Sequence, residues 1–270
     1  MKYLAALLIA LTLSAHAQAL DIISWNVESG GADPEIIAQQ LAELPRADAY
    51  LLQEVDARDI GRYAFAVREK HGKGYKYFVT SLGGRDRLAI IVDGTKFHIR
   101  SFSELMSYKK YRLNDFGHRS PLVTHLERKS DGQELLLVTV HLARGNEDLR
   151  KEQATGLSEW AKAQSFPVIL AGDCNFDLDI INKRGNASYD AFLATKVWQM
   201  AALDEEIDTN WDDRDGDGVD NYPNSRLDFA AVKANGKPLT TKSYVIVRPG
   251  DFPDTEATSD HRPLFLNVSP

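Results

Sequence analysis

Residues 167–177 read PVILAGDCNFD, a short apolar run that ends directly in a polar cluster. The apolar part, Pro167 to Ala171, is typical of a strand that is buried on both faces. The polar part, Gly172 to Asn175, would then lie where that strand ends, at the rim of a sheet. We therefore predict a buried strand over residues 167–171 that presents an aspartate and an asparagine at the sheet rim.

The same pattern recurs along the chain, with a polar cluster beside each of several apolar runs. These clusters are Ser24–Asn26 (SWN), Gln53–Glu54 (QE), His141, Arg226–Asp228 (RLD) and Ser259–His261 (SDH). Taken singly, such residues are usually turn formers, helix caps or solvated strand ends. Six clusters in one chain instead predict that carboxylates, amides and imidazoles gather at one rim.

The order of predicted elements indicates the fold class. Apolar residues at helical spacing predict helices over residues 34–44, 57–70 and 146–164, the first with Asp33 as its N-cap. Short apolar runs predict strands over residues 20–25, 49–52, 75–80, 88–92, 97–102, 121–126, 134–141, 226–232, 242–247 and 263–268. In the middle section, Asp93-Gly94 and Asp131-Gly132 favour tight hairpins. We predict an α/β (α+β) fold, a four-layer α/β/β/α sandwich of two mixed β-sheets packed face to face with helices outside.

The N-terminus and the composition limit where the protein acts and how. Residues 1–19 carry one lysine, an apolar stretch and then small residues, which is typical of a signal peptide that is cleaved on secretion or export to the periplasm. Residues 20–270 are expected to form a single domain, because no repeat or linker divides them. Cys174 is the sole cysteine, so no disulfide framework is expected. The net charge of −7 excludes a broad basic face for nucleic acid.

The residue types in the clusters suit phosphodiester hydrolysis. That reaction needs a positioned water, a way to neutralise the phosphoryl oxygens and help for the leaving oxygen. Glu54, Asp173 and Asp260 are carboxylates of the kind that bind Mg²⁺. Histidines near them could transfer protons or stabilise the phosphoryl group, with Asp228 as an orienting partner for one.

The wording and order of the clusters resemble the endonuclease/exonuclease/phosphatase superfamily. The strings that carry the resemblance are ISWNVESGG, LLQEVD, LVTVHLARG, VILAGDCNFD, SRLDFAAV and TSDHRPLFLNV. They extend from residue 21 to residue 268. The resemblance implies a metal-dependent phosphoesterase that hydrolyses its substrate by direct attack of water, with Mg²⁺ or Mn²⁺ as cofactor.

The resemblance also implies a role for each matching position. Glu54 would be the principal metal ligand, with Asn26 and Asp260 close to the ion. Asp173 and Asn175 would position the attacking water and the scissile phosphate. His261, oriented by Asp228, and His141 would approach the phosphoryl oxygens from two sides, and the general base would be either Asp173 or the His261–Asp228 pair. Arg119 falls where a phosphate-facing residue is common, although a rim salt bridge explains it equally well.

One acidic segment stands apart from these motifs. Asp213, Asp215 and Asp217 alternate and are followed by Gly218, as in the first half of a calcium-binding loop. The twelfth position is Asn224 instead of the bidentate glutamate of an EF-hand. Ca²⁺ binding and a solvated acidic turn therefore both remain open.

The substrate is the least constrained prediction. A nuclease is favoured, with nucleic acid as the phosphodiester partner, no stable membrane insertion and no obligate protein partner. One alternative is a lipid- or inositol-directed phosphodiesterase or phosphatase of the same fold. Another is a secreted binding module that has lost its chemistry, although all the chemical residues are present.

Overall fold

A computed structural model describes residues 19–213, 215–252 and 257–269 of the protein. The helices are α1 (Pro34–Glu43), α2 (Ile60–His71), α3 (Glu147–Lys162) and α4 (Ala187–Ala194). The strands are β1 (Leu20–Asn26), β2 (Ala49–Val55), β3 (Tyr75–Val79), β4 (Arg87–Asp93), β5 (Phe97–Glu104), β6 (Ser107–Tyr108), β7 (Tyr111–Arg112), β8 (Leu122–Arg128), β9 (Glu134–His141), β10 (Val168–Asp179), β11 (Gln199–Met200), β12 (Ser225–Lys233), β13 (Thr240–Val245) and β14 (Leu264–Ser269). Apart from Ala19, the predicted signal peptide lies outside the described residues.

The strands of the described residues form two six-stranded sheets and one two-stranded hairpin. The first sheet has the order β13-β14-β1-β2-β4-β3 and the second the order β11-β12-β10-β9-β8-β5, while β6 pairs with β7. Both large sheets are mixed. β1 runs parallel to β2 and antiparallel to β14, and β10 runs parallel to β9 and antiparallel to β12.

The two sheets pack face to face, with helices on both outer faces. One buried apolar cluster contains side chains from both sheets, among them Leu51, Leu137 and Leu266, and lies between them. Two further clusters lie outside, one between the first sheet and α1 and α2, the other between the second sheet and α3 and α4. The predicted α/β/β/α sandwich is confirmed.

Central strands are apolar on both faces because each face is covered. In β1, Ile22 belongs to the core between the sheets, whereas Ile23 belongs to the core under α1 and α2. An apolar run of such a strand therefore ends in polar residues only where the strand is no longer covered by the other sheet and the helices. At the start of α1, Asp33 accepts a hydrogen bond from the backbone N–H of Glu35, which confirms the predicted N-cap.

Three short elements were not predicted, and one predicted hairpin is wrong. The missed elements are the β6–β7 hairpin, α4 and β11. Asp131-Gly132 does join antiparallel neighbours, β8 and β9. Asp93-Gly94 instead joins β4 of the first sheet to β5 of the second. Asp93 Oδ1 accepts from the backbone N–H of Thr95 at 2.8 Å, so the pair makes a side-chain-stabilised turn between layers.

Candidate active site

Asp173 is at the centre of the candidate site because of the strand register. It faces His141 on the parallel neighbour β9 and Asp228 on the antiparallel neighbour β12. Directly opposite residues in a sheet project to the same face. All three side chains are 1% exposed, so the second sheet alone brings an imidazole and two carboxylates together at its rim.

His261 is held on one side of Asp173 by Asp228. Its Nδ1 lies 2.8 Å from Asp228 Oδ2, and its Nε2 lies 3.8 Å from Asp173 Oδ2. Burial would lower the pKa of His261, but the charges of Asp228 and Asp260 outweigh it and raise that pKa well above its usual value. The geometry fixes which ring nitrogen faces the cavity, as the sequence predicted for this pair.

His141 lies on the other side of Asp173, between three carboxylates. Its Nε2 is 3.2 Å from Asp173 Oδ2 and 3.8 Å from Glu54 Oε1, and its Nδ1 is 3.4 Å from Asp86 Oδ1. Asp86 also forms an ion pair with Arg119. Burial would raise the pKa of Asp86, yet His141 and Arg119 together lower it to about 2. Asp86 is thus an ionised partner for His141.

Arg119 forms the salt bridge that was one of the two interpretations of its sequence position. Burial would lower the pKa of Arg119, but its salt bridge with Asp86, together with the charges of Glu54 and Asp173, raises that pKa. A direct contact with substrate stays a prediction. Its backbone is left-handed, with φ of 52°, and its guanidinium is held by the ion pair with Asp86.

The first sheet contributes Glu54 and Asn26 to the same rim. Asn26 Nδ2 donates to Glu54 Oε1 at 3.1 Å and to Asp173 Oδ2 at 3.2 Å, so it links the two sheets. Asn26 Oδ1, the atom that would bind a cation, accepts from the backbone N–H of Glu28. Glu54 has a φ of 51° and interrupts the β2–β4 register, which turns its carboxylate out of the strand.

Asn175 and Asp260 complete the predicted set. The backbone N–H of Asn175 donates to Asp173 Oδ1, and Asn175 Nδ2 donates to the carbonyl of Leu142. Asn175 Oδ1 is buried with no hydrogen-bond partner among the described residues. Asp260 is about one third exposed and lines the same cavity as Glu54. The individual roles of Asn175 and Asp260 stay predictions.

A cavity of about 300 Å³ opens at this rim, and its lining fits a divalent cation. The lining includes five carboxylates, those of Glu54, Asp173, Asp212, Asp213 and Asp260. In addition, ligand atoms of Glu54, Asp86 and His141 lie within 4.8 Å of one another. Several anionic oxygens in a partly open pocket are the donor set that Mg²⁺ or Mn²⁺ prefers. The described residues thus fit a metal-binding role.

The acidic loop lies beside this cavity. Ligand atoms of Asp213, Asp215 and Asp217 lie within 4.8 Å of one another, and Asp213 also lines the site cavity. The carboxylate of Asp213 accepts from the backbone N–H groups of Asp217 and Gly218. These bonds help to shape the loop, and Ca²⁺ binding stays a prediction.

Sequence reasoning missed several residues of the site, among them Asp86, Arg144 and Asn210. Asp86 directly precedes β4, and β4 runs antiparallel to β2, so β4 begins at the rim where β2 ends. An acidic residue just before a strand was therefore a usable signal. Arg144 follows His141 by three residues and lines the cavity, as does Asn210, whose backbone bridges to His261. No motif in the sequence distinguishes Asn210.

At this rim the sandwich brings together two histidines, each beside its own carboxylate. A model of the Endonuclease/Exonuclease/phosphatase family matches residues 23–261. The chain belongs to this family, whose members are hydrolases acting on phosphoester bonds. A comparison with individually characterised protein sequences gives no significant match.

Solved structures share the fold. An endonuclease/exonuclease/phosphatase family protein from Bacteroides thetaiotaomicron has a TM-score of 0.70 at 19% identity, over 94% of this chain and 99% of that chain. TDP2 from D. rerio, complexed with single strand DNA product, has a TM-score of 0.70 at 19% identity, over 93% and 99%. A mannosyl-6-phosphatase from Bacteroides thetaiotaomicron has a TM-score of 0.67 at 19% identity, over 93% and 100%. At such identities the likeness concerns the fold.

Proposed function

We propose that this protein is an exported, Mg²⁺-dependent phosphodiesterase that cleaves nucleic acid by direct attack of water. One observation carries the proposal: Asp173 lies between two histidines, each with its own carboxylate partner, beside the carboxylate of Glu54. Family membership supplies the reaction class. The arrangement offers groups for both the water and the phosphoryl oxygens, with no side chain required as a covalent nucleophile.

The residues around Asp173 have two kinds of role, proton transfer and stabilisation of negative charge. His141 and His261 surround Asp173, and their charges outweigh burial and lower its pKa. An ionised Asp173 can orient the attacking water and accept its proton, while Asn175 positions the phosphate. His261, with its raised pKa, can face a phosphoryl oxygen as a cation. In these protonation states Asp173, and not His261, has a free site for the proton of the water.

A divalent ion held by Glu54 and Asp260, with Asn26 behind Glu54, would supply charge neutralisation at the phosphoryl oxygens. Asn26 keeps Glu54 in place through its 3.1 Å hydrogen bond. Arg119, paired with Asp86 near Glu54, would add a second positive group. Without such charge, the surrounding carboxylates would repel a phosphodiester.

Nucleic acid is the favoured substrate, and sugar phosphates are the alternative. The fold is shared with TDP2, which was solved with a single strand DNA product, and equally with a mannosyl-6-phosphatase. A lipid-directed activity has no such support. Loss of chemistry is disfavoured, since Glu54, Asp173 and both histidines converge on one cavity.

Export rests on the predicted signal peptide. None of the described helices is both long and apolar enough to cross a membrane. N-terminal sequencing of the protein recovered from the periplasm or medium should begin near Leu20. Recovery of the intact chain from the cytoplasm alone would contradict export.

The test of the mechanism uses purified protein with plasmid DNA, RNA and synthetic phosphodiesters, with and without chelator. Removing metal should abolish hydrolysis, and Mg²⁺ should restore it. Glu54→Ala should raise the Mg²⁺ concentration for half activity by about 10- to 100-fold, because a cation ligand is lost. His141→Ala should lower turnover with little change in that concentration.

Glu69→Ala, on the exposed face of α2, is the matched control and should change neither quantity. Activity that survives thorough metal removal would overturn the mechanism. The opposite pattern for Glu54→Ala and His141→Ala would mean that the two residues have exchanged roles.

A further inference from the structure

A second cavity, of about 630 Å³, lies beside the candidate site. This side cavity is lined by residues including Arg144, Arg150, Asp177, Asn210 and Tyr222. Ligand sites commonly fall between about 300 and 1,000 Å³. Arg144 and Asn210 line both the side cavity and the site cavity. A group bound in the side cavity would therefore be the neighbour of a phosphate bound in the site.

Asn210 lies where the side cavity meets the site cavity, and its side-chain oxygen lacks a hydrogen-bond partner among the described residues. The residue is 3% exposed, and its backbone bridges to His261. Its Oδ1 is buried and has no hydrogen-bond partner within the described ranges. An unpaired buried amide oxygen is costly, so a ligand hydroxyl or amino group that reached it through a small side-chain movement would be stabilised there.

The positive charges of the side cavity are already balanced. Arg144 Nη2 lies 3.4 Å from Asp212 Oδ2, and Arg150 Nη2 lies 3.7 Å from Asp177 Oδ2. Arg150 is 7% exposed and donates from Nη1 to the carbonyl of Ala143 at 2.9 Å. Glu147 and Asp179 add further negative charge to the lining. A second phosphate would be repelled, whereas an uncharged polar group would find both donors and acceptors.

Tyr222 gives the side cavity an aromatic wall. Its ring is 48% exposed and is followed by Pro223, which also lines the space. Aromatic faces stack on nucleobases and pack against the apolar faces of sugars. The cavity thus offers one flat surface together with polar groups at its junction with the site.

We propose that the side cavity binds an uncharged hydroxylated ring attached to the scissile phosphate, that of a nucleoside or a sugar. This rests on the proposed phosphodiesterase activity. Asn210 meets a hydroxyl or amino group at the junction, Arg144 separates the ring from the phosphate, and Tyr222 packs on the ring. The ring would bind next to the scissile phosphate and would take no part in the chemistry.

The test compares four esters that release the same p-nitrophenol. They are the p-nitrophenyl phosphates of the thymidine 5′-hydroxyl, the thymidine 3′-hydroxyl, the glucose 6-hydroxyl and methanol. With Mg²⁺, at least one ring-bearing ester should have a kcat/KM about tenfold above that of the methyl ester, as expected for one stacked ring. Whether thymidine or glucose gives the gain distinguishes the two sources of the ring.

Variants test whether the higher kcat/KM of the ring-bearing esters depends on the side cavity. Tyr222→Ala should remove most of the tenfold preference, and Tyr222→Phe should keep it because the ring remains. Tyr77→Ala is the matched control, since Tyr77 is a 39% exposed tyrosine on the edge strand β3, and it should leave the preference intact. Melting temperatures verify that each variant folds.

The outcomes separate the two proposals. Equal kcat/KM for ring-bearing and methyl esters, or an equal loss on all four esters in Tyr222→Ala, would overturn the side cavity as a ring site while leaving the phosphodiesterase intact. Failure to hydrolyse any ester or nucleic acid with Mg²⁺ would overturn the proposed function, and the side-cavity assignment with it.

Discussion

The two histidines of the candidate site obtain their carboxylate partners from different regions of the molecule. Asp228, the partner of His261, lies on a central strand, is 1% exposed and is 2.8 Å away. Asp86, the partner of His141, lies in the loop before β4, is 28% exposed on its side chain and is 3.4 Å away. The carboxylate of one pair, Asp228, is fixed by sheet register, whereas that of the other, Asp86, lies in a loop and is held by Arg119.

The largest expected effect concerns the strand region itself. A Cβ at Gly172 would lie 2.0 Å from the backbone oxygen of Val140, so Gly172→Ala must separate β9 from β10 where they carry His141 and Asp173. We expect a loss of at least about 4 kcal/mol in the free energy of unfolding, measured by urea denaturation. Gly61→Ala, in α2 with nothing within 4 Å of the added carbon, is the control and should not destabilise. A stable Gly172→Ala variant would contradict a rigid strand region.

The next effect concerns the strand-borne partner. Asp228→Asn should lower kcat about 100-fold, because an amide neither fixes the Nδ1 proton of His261 nor stabilises its charge. The measurement is kcat at saturating Mg²⁺, together with the melting temperature. Asp48→Asn removes another buried aspartate, 4% exposed and paired with Lys96 at the opposite end of β2, and should leave kcat unchanged. An unchanged kcat in Asp228→Asn would show that His261 is not oriented by this pair.

The smallest effect concerns the loop-borne partner. Asp86→Asn should lower kcat about tenfold, less than Asp228→Asn, because His141 keeps its 3.2 Å contact with Asp173. Asp131→Asn is the control, since Asp131 is also a turn aspartate paired with an arginine, Arg128, at 3.1 Å. A larger loss in Asp86→Asn than in Asp228→Asn would reverse the comparison and make the loop the dominant partner.

The same division decides what could be predicted from the sequence. On the strands, Asp173 and His141 end apolar runs and Asp228 precedes one, so their convergence is a consequence of strand order and could be anticipated. Asp86 and Asn210 come from connecting segments, whose course depends on tertiary packing and leaves no periodicity. The short elements α4 and β11 were not predicted for a related reason. They have eight and two residues, which is too few to show a clear hydrophobic periodicity.

The Asp93-Gly94 error has the same origin. The dipeptide correctly marked a tight turn, but turn chemistry alone does not say whether the next strand continues the same sheet. Here the next strand, β5, joins the second sheet. Local residues determined the turn, and burial of the apolar side chains of β5 between the two sheets determined its partner, as Phe97 shows.

Cys174, between the two functional residues of β10, is 1% exposed and packs on the outer face of the second sheet. Burial raises the pKa of its thiol well above the usual value, which keeps the sulfur protonated and unreactive. In an oxidising environment, the buried thiol of the folded protein is therefore protected from intermolecular crosslinks and mixed disulfides. Because the thiol becomes accessible only when β10 detaches, Cys174 is also a natural reporter on the integrity of the strand that carries Asp173.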